Sequence, residues 1–589
     1  MSTLHRQNAL AKAEDFINNE TQYHLGFLPV EQPNPKTAHL DLAFSRSIAE
    51  GVNMLQSVDR DLTTLIDKAL SDKRFTKMKD AMVQSLSQNK RIIFSGCGAT
   101  GRLSILLEAA YRDYFKRLQN EQPVVYSRVS DLSDSVISIM TGGDYALIRS
   151  VEFFEDYLEF GRQQVRELGI GKGDMLVAIT ATGETTSILG TVMESAQQEA
   201  DVFLLICVAQ EVPKSRLDRV REAYAHPRVT VLDMPCGPLA LTGSTRMQST
   251  TLEQMIAGAA LETAMMQVIQ ERVKDKASEK WLSLFDRPIN HAKGFSGLLD
   301  ALEQPESVEA IASYIEFEEG IYRKDGLITY FADDFILDIL SDTTERSPTF
   351  MLPPFCKCDD LVSPLSWAFV KNPSVSTPEA WYRCLSRRPR CLNWKQCDYD
   401  RMEVSNLVKT GIPKIGDEEL MKFNIGNEAA PRRLETEENA AVWIGREKAG
   451  KEFEEEARLF RRKVSLLISP KHTTADFLVP YEGTKTPLRI LEHLSVKLVM
   501  NIVSTGTMVR MGRVTGNWMS WLDASNKKLI DRSTRIIADQ CHVSYRVACR
   551  ELYLSIEKLD SIPDGAVRLS PAQYTIQRLQ TSAVKNKFK

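Results

Sequence analysis

Three short segments gather hydroxyls, glycines and a cation where the chain turns from strand to helix. Ser95-Gly96-Cys97-Gly98-Ala99-Thr100-Gly101-Arg102 follows an apolar run at 91–95 and precedes a helical pattern over 103–115. Glycines at such a turn let backbone N–H groups approach an anion, and the helix N-terminus adds partial positive charge. The spacing Gly96, Gly98, Gly101 satisfies GxGxxG, so a phosphate cradle, a dinucleotide site and a purely structural tight turn are all open. The acid that would hold a dinucleotide ribose is not evident, because residues 124–126 lead into Ser127-Arg128. Ile179-Thr180-Ala181-Thr182-Gly183-Glu184-Thr185-Thr186 and Leu241-Thr242-Gly243-Ser244-Thr245-Arg246-Met247 repeat the theme. Each alone could be helix capping, since Ser and Thr are good N-caps. Together, hydroxyl and backbone donors with one cation suit a phosphorylated sugar better than a pyrophosphate.

The elements that must position these segments alternate in period. Apolar residues recur at three and four from Ile48 to Leu70, which predicts helix. Strand-like runs follow at 91–95, 124–126, 136–140, 175–180, 202–208 and 229–232, with amphipathic stretches at 145–168 and 186–199 between them. Such alternation predicts a parallel sheet covered by helices on both faces. A second cycle offers strands at 326–331, 350–352 and 464–468 and a helical pattern at 488–504 behind Pro487. Residues 370–460 carry prolines, tryptophans and mixed charge, and their order cannot be read from pattern. Residues 526–559 are again helical.

The 589 residues are too many for one core, and about three or four folded units are expected. A chain 43% hydrophobic and 26% charged is globular rather than disordered. Its net charge of −4 argues against nucleic-acid binding as the main task. The start of the chain has no apolar signal core, and the apolar runs are strand-sized, so a cytoplasmic protein without membrane contact is expected. Ten cysteines contain no CxxC pair, which leaves structural zinc improbable, and no metal or cofactor is implied.

At the three segments the sequence resembles the sugar isomerase (SIS) domain family, and within it the branch of N-acetylmuramic acid 6-phosphate etherase and glucokinase regulatory protein. Gly142-Gly143-Asp144-Tyr145-Ala146, Val503-Ser504-Thr505-Gly506, Met511-Gly512-Arg513-Val514 and Ser525-Asn526-Lys527-Lys528-Leu529 extend the match. The resemblance implies two α/β SIS domains in tandem, each a flavodoxin-like parallel sheet sandwiched by helices. The expected parts are an N-terminal helical arm (1–50), a first domain with the phosphosugar loops (51–285), a second, degenerate domain (286–525) and a helical cap and tail (526–589).

The implied site holds Gly98, Ala99, Thr100, Thr182, Gly183, Ser244, Thr245 and Arg246 around a phosphorylated sugar. Lys497 would reach in from the second domain, and Glu152 and Glu155 would accept sugar hydroxyls. The etherase needs two glutamates, one to take a proton and one to give it. One corresponds to Glu155, but the other falls at Ala110, and Glu108 should face elsewhere on the same helix. The second domain's first turn, Ala332-Asp333-Asp334-Phe335, has two acids and no glycine, which would repel phosphate. Glu492 and His493 offer an isomerase base and acid, or a structural pair. The expected function is therefore a sensor of a hexose or amino-sugar 6-phosphate, with a sugar kinase as the partner the resemblance implies. The alternatives are an etherase-like lyase in which Glu155 is catalytic, or an aldose–ketose isomerase. A monomer and a homodimer both remain open.

Overall fold

The computed structural model describes residues 3–273, 289–404, 411–560 and 569–587. The expected boundary at 285/286 lies outside these residues.

Runs of branched and aromatic residues make two parallel sheets. The first contains β1 (Ile92–Gly96), β2 (Val136–Met140), β3 (Met175–Ile179), β4 (Asp201–Ile206) and β5 (Val229–Asp233), in the order β2-β1-β3-β4-β5. All five residues of β1 are buried, as befits a strand covered on both faces. The second contains β6 (Leu327–Phe331), β7 (Ala368–Lys371), β8 (Asn439–Gly445), β9 (Arg462–Ser469) and β10 (Phe477–Pro480), in the order β10-β9-β8-β6-β7. Counted from the first strand of each sheet, both follow the flavodoxin-like order 2-1-3-4-5. The chain is thus two doubly wound units in tandem. In the first, the register pairs Gly96 with both Met140 and Ile179. That brings the turns after β1 and β3 level at the point where strand order reverses, the crevice where open α/β sheets take ligands.

The helices that matter for the site are α1 (Ala99–Glu121), α2 (Thr186–Gln197), α3 (Gln248–Arg272), α4 (Ile490–Arg510) and α5 (Lys527–Cys541). Helices α3 and α4 are buried on nearly every side, and a Cβ at Gly258 of α3 would come within 2.9 Å of Ile490 of α4. Packing that close makes the two units one body. Arg387, from the second unit, crosses to Asp144 (2.5 Å) and Glu108 (3.0 Å) of the first. Burial pushes the Glu108 carboxyl up, but Arg387, Arg390 and Arg112 outweigh it and hold it at about 2. The N-terminal arm is fastened to the cap in the same way. Wholly buried Glu31 receives Arg532 (2.6 Å) and Arg535 (2.9 Å) of α5, which hold it at about 2 against the cost of burial.

Two expected strands are absent. Residues 124–126 lie in the helix Pro123–Val129, where Val125 and Val129 bury one face four residues apart and Pro123 fits the first turn. Phe350 ends the short helix Arg346–Phe350 instead of opening a strand. Strands β7, β8 and β10 were not foreseen, although all seven residues of β8 are buried. The 526–559 stretch is two helices, because His542 adopts a left-handed φ of 52° that ends α5.

Candidate functional site

A cleft at the carboxyl ends of the first sheet gathers the three expected loops. Cys97, Gly98, Ala99, Thr100, Glu155, Thr182, Ser244, Thr245 and Arg246 line it. The α1 turn is possible only with glycine at two places. Gly98 has φ +55°, and a Cβ at Gly96 would overlap the Thr100 carbonyl at 2.3 Å. Thr100 Oγ1 accepts from the Cys97 N–H (3.0 Å) and donates to its carbonyl (3.0 Å), so this hydroxyl holds the turn. What α1 presents to the cleft is its first-turn N–H groups, which have no intrahelical partners, and the positive end of its dipole.

The other loops divide their polar groups similarly. Thr182 donates to Glu184 (3.0 Å), which is paired with Arg219 (2.6 Å). Gly183, at φ +73°, packs against the Tyr224 hydroxyl and does not line the cleft. Arg246 is spent on the second domain, donating to Asp342 (2.6 Å) and Thr505 (3.0 Å), and burial lowers its pKa. Ser244 is buried, and its hydroxyl has no partner among the described residues. It is a donor held in reserve at the cleft wall.

Lys497 does not reach the cleft. Its ammonium donates to the carbonyls of Arg246 (2.9 Å) and Met247 (3.3 Å), to Thr251 (2.7 Å) and to Asn501 (3.1 Å), so it braces the Ser244–Arg246 loop from the side away from the cleft. Burial lowers its pKa. The lysine that does line the cleft is Lys528 of α5, beside Asn526 and Arg532. Burial pulls Lys528 down, but Glu155, Glu31 and Glu184 outweigh it and raise its pKa, so it remains an ammonium. Asn526 caps α5 through the Leu529 N–H (2.8 Å) and donates to Glu155 (3.1 Å). Glu152 opens the short helix Glu152–Asp156, but its side chain lies outside the described residues.

Ala110 also stands elsewhere. It lines a separate, smaller cavity with Asp113, Asp333, Asp334, Arg489 and His493, at the turn after β6. The counterpart in the first cleft is Glu345, from the helical stretch that follows β6. The middle of α1 thus serves the second unit's cavity while its N-terminus serves the first unit's cleft, to which the second unit adds Glu345. Ala110 therefore does not leave the cleft one carboxylate short: among the described residues it has two, Glu155 and Glu345. Glu345 accepts from the guanidinium of wholly buried Arg102. His493 is engaged with Asp338 (2.7 Å) and Glu492 with Arg489 (2.8 Å), both away from the cleft.

Lys528 and Glu345 are the residues sequence reasoning missed. Lys528 sits inside the matched motif Ser525-Asn526-Lys527-Lys528-Leu529 and could have been chosen from it. Glu345 carries no local signal, because only the pairing of the two units brings it in. The assembled set joins anion donors to two carboxylate acceptors, which is what a phosphate monoester with free hydroxyls requires.

Paired 2-1-3-4-5 units with this cleft at the switch point define a tandem, doubly wound α/β chain with a composite cleft. Residues 74–196 match the family described as the glucokinase regulatory protein N-terminal SIS domain. The N-acetylmuramic acid 6-phosphate etherase 1 of Bacillus licheniformis is 29% identical over 248 residues, spanning 42% of this chain and 71% of that one. That of Lactococcus lactis is 27% identical over 233 residues, spanning 39% and 68%. Among solved structures, the C-terminal domain of glucosamine-fructose-6-phosphate aminotransferase from Francisella tularensis is similar at 10% identity and a TM-score of 0.40, covering 80% of this chain and 96% of that one. The chain is a SIS-domain protein that resembles the regulatory protein and the etherases. Among the described residues, no helix is long and apolar enough to cross a membrane.

Proposed function

We propose that the cleft binds a hexose or amino-sugar 6-phosphate and that binding, not turnover, is its task. The observation that carries this is the pairing of Lys528, kept charged by its carboxylate neighbours, with the Ser244 hydroxyl, unpartnered among the described residues, and the α1 N-terminus in one cleft. Phosphate would lie on the α1 turn and Ser244, near Lys528, and Glu155 and Glu345 would accept sugar hydroxyls. Both units contribute, so one chain completes the site, and a bound sugar favours their closed arrangement by its differential affinity for it. The similarity to the regulatory protein supports a sugar kinase as the partner governed by that arrangement.

The lyase reading is favoured by the two carboxylates of the cleft and by the etherase relatives. Elimination needs one of them to deliver a proton to the departing oxygen. Glu345 already accepts from Arg102 and Glu155 from Asn526, so both serve as acceptors. A thermal-shift series with fructose 6-phosphate, glucosamine 6-phosphate and N-acetylmuramic acid 6-phosphate tests both readings. Selective stabilisation with the sugar recovered intact, followed by capture of a sugar kinase, supports the sensor. Release of lactate from the muramic compound establishes the lyase instead.

A further inference from the structure

Cys207 and Cys236 extend the ends of adjacent parallel strands, β4 and β5, just behind the cleft. The Cys236 N–H donates to the Cys207 carbonyl at 3.1 Å. Backbone segments joined by such a bond lie about 4.8 Å apart, as neighbouring strands do, within the Cα range of roughly 4.4–6.8 Å that a disulfide spans. The two thiols share one compartment. Both meet Ser249 in the first turn of α3, Cys207 at its carbonyl (3.7 Å) and Cys236 at its hydroxyl (3.8 Å). They differ in access, Cys207 being wholly buried and Cys236 half-buried. Each is also tied to a cleft loop. The Cys207 N–H donates to the carbonyl of Ala181 (3.0 Å), within the Thr180–Thr185 turn. Cys236 begins the segment that runs through Gly237 into Ser244, Thr245 and Arg246.

We propose that Cys207 and Cys236 are a modification site, an oxidisable pair that closes to an intramolecular disulfide on exposure to a hydroperoxide and loosens the phosphosugar loops. The effect on ligand rests on the cleft being a phosphosugar site; formation of the bond does not.

The more accessible sulfur acts first. The hydrogen bond from the Cys207 thiol holds the Cys236 thiol below its usual range, which favours the thiolate, whereas burial drives Cys207 well above it. The Cys236 thiolate attacks a peroxide oxygen, the O–O bond breaks, and with hydrogen peroxide a sulfenic acid and a hydroxide result, the hydroxide taking up the proton that Cys236 had released to become the first water. Cys207 sulfur then attacks Cys236 sulfur, the S–O bond breaks, and the departing hydroxide takes the Cys207 proton as a second water. Two thiols are oxidised by two electrons and the peroxide is reduced by two. The other titratable group of the compartment is Glu253. It is wholly buried, and burial raises its pKa well above the ordinary value, which favours its neutral form. Contraction to an S–S bond of about 2.04 Å breaks both contacts to Ser249 and draws the Ser244 loop and the Ala181 turn toward one point.

The full-length protein is treated with hydrogen peroxide in slight excess, remaining thiols are alkylated, and peptides are mapped by mass spectrometry. A peptide pair joined through Cys207 and Cys236 and separated by dithiothreitol is expected. The Cys207→Ser variant should stop at a Cys236 sulfenic acid trapped by dimedone, and the Cys236→Ser variant should leave Cys207 reduced. Circular dichroism confirms the fold of each, and wild-type mapping alone decides the bond if either fails to fold. Recovery of Cys236 as an alkylated free thiol while exposed Cys358 and Cys397 are oxidised overturns the proposal. Hexose 6-phosphate affinity should fall about tenfold in the oxidised protein and return on reduction. Equal affinity in both states overturns the coupling to the loops. Absence of binding in the reduced protein would refute the phosphosugar reading itself, and the peptide map would still decide the disulfide.

Discussion

Glu345 of the second unit stands over Gly98 of the first: a Cβ placed at Gly98 would come 3.8 Å from the Glu345 carboxylate. The same carboxylate neutralises Arg102, whose guanidinium is wholly buried and otherwise donates to the carbonyls of Ala146 (3.0 Å) and Leu147 (3.2 Å). One residue thus completes the cleft and ties the units together. Replacing Glu345 by Ala leaves a buried cation short of its counter-charge and should cost about 2–3 kcal/mol, below the roughly 3–5 kcal/mol of a fully stranded partner. Glu345→Gln keeps an acceptor and should cost no more than about 1 kcal/mol. Urea unfolding measures both, and equal losses would show that charge is not what matters.

Ser244 separates binding from stability. Its hydroxyl has no partner among the described residues, so Ser244→Ala removes a buried polar group that nothing satisfies. Stability should hold or rise by up to about 1 kcal/mol. Sugar-phosphate affinity should fall about fivefold to tenfold, the loss of one hydrogen bond of roughly 1–1.5 kcal/mol. A variant that loses stability and keeps its affinity would place the hydroxyl in the fold instead.

Lys528 takes the place in the cleft that the sequence suggests for Lys497. Lys528→Met should reduce affinity by about tenfold to a hundredfold, as for a charged hydrogen bond of roughly 1.5–3 kcal/mol. Its effect on melting temperature without ligand should be small. Lys497→Met strands two carbonyls and two side-chain acceptors and should cost about 2 kcal/mol of stability. The reverse pattern in thermal shift with and without glucosamine 6-phosphate would restore Lys497 as the ligand cation.

How far the sequence could be read follows from where each signal lies. Loops bounded by a strand and a helix carry their purpose in short motifs, and Gly98, Thr182 and Ser244 come together as the spacing implies. The tandem sheets were legible because β3 is an unbroken apolar run and β1, β4 and β6 are mostly apolar. Strand β7 has four residues and β10 is an edge of four, too short for a pattern, and 370–460 hides β8 among prolines and charges. Contacts between units left no local trace. That is why Ala110 seemed to face the first cleft, Lys497 seemed to reach it, and Glu345 went unnoticed.

The crossed geometry gives Ala110→Glu a definite outcome. The new carboxylate would enter the cavity already lined by Asp113, Asp333 and Asp334, not the cleft of Glu155. No lyase activity should appear with N-acetylmuramic acid 6-phosphate, sugar-phosphate affinity should stay within about twofold, and stability should fall by about 1–3 kcal/mol for a bulky acid at a buried alanine. Lactate release by this variant and not by the wild type would mean that Ala110 faces the reacting sugar after all.

Asp156 gives the protein a pH dependence of known sign. Burial raises its carboxyl to about 6, with Glu184 adding to the shift and Lys527 opposing it. The unfolded chain loses this proton near pH 4, so between about pH 4 and 6 the folded state holds a proton that the unfolded state has released. Stability therefore falls as pH rises through that window and stays lower above it. Asp156→Asn removes the burden. The variant should be more stable than the wild type by up to about 2 kcal/mol at pH 7.5, with the partly exposed carboxyl tempering the full effect. The difference should shrink through pH 5.5 and vanish at pH 4. Urea unfolding at those three values decides it, and a gain that is constant with pH would assign the effect to packing rather than to the proton.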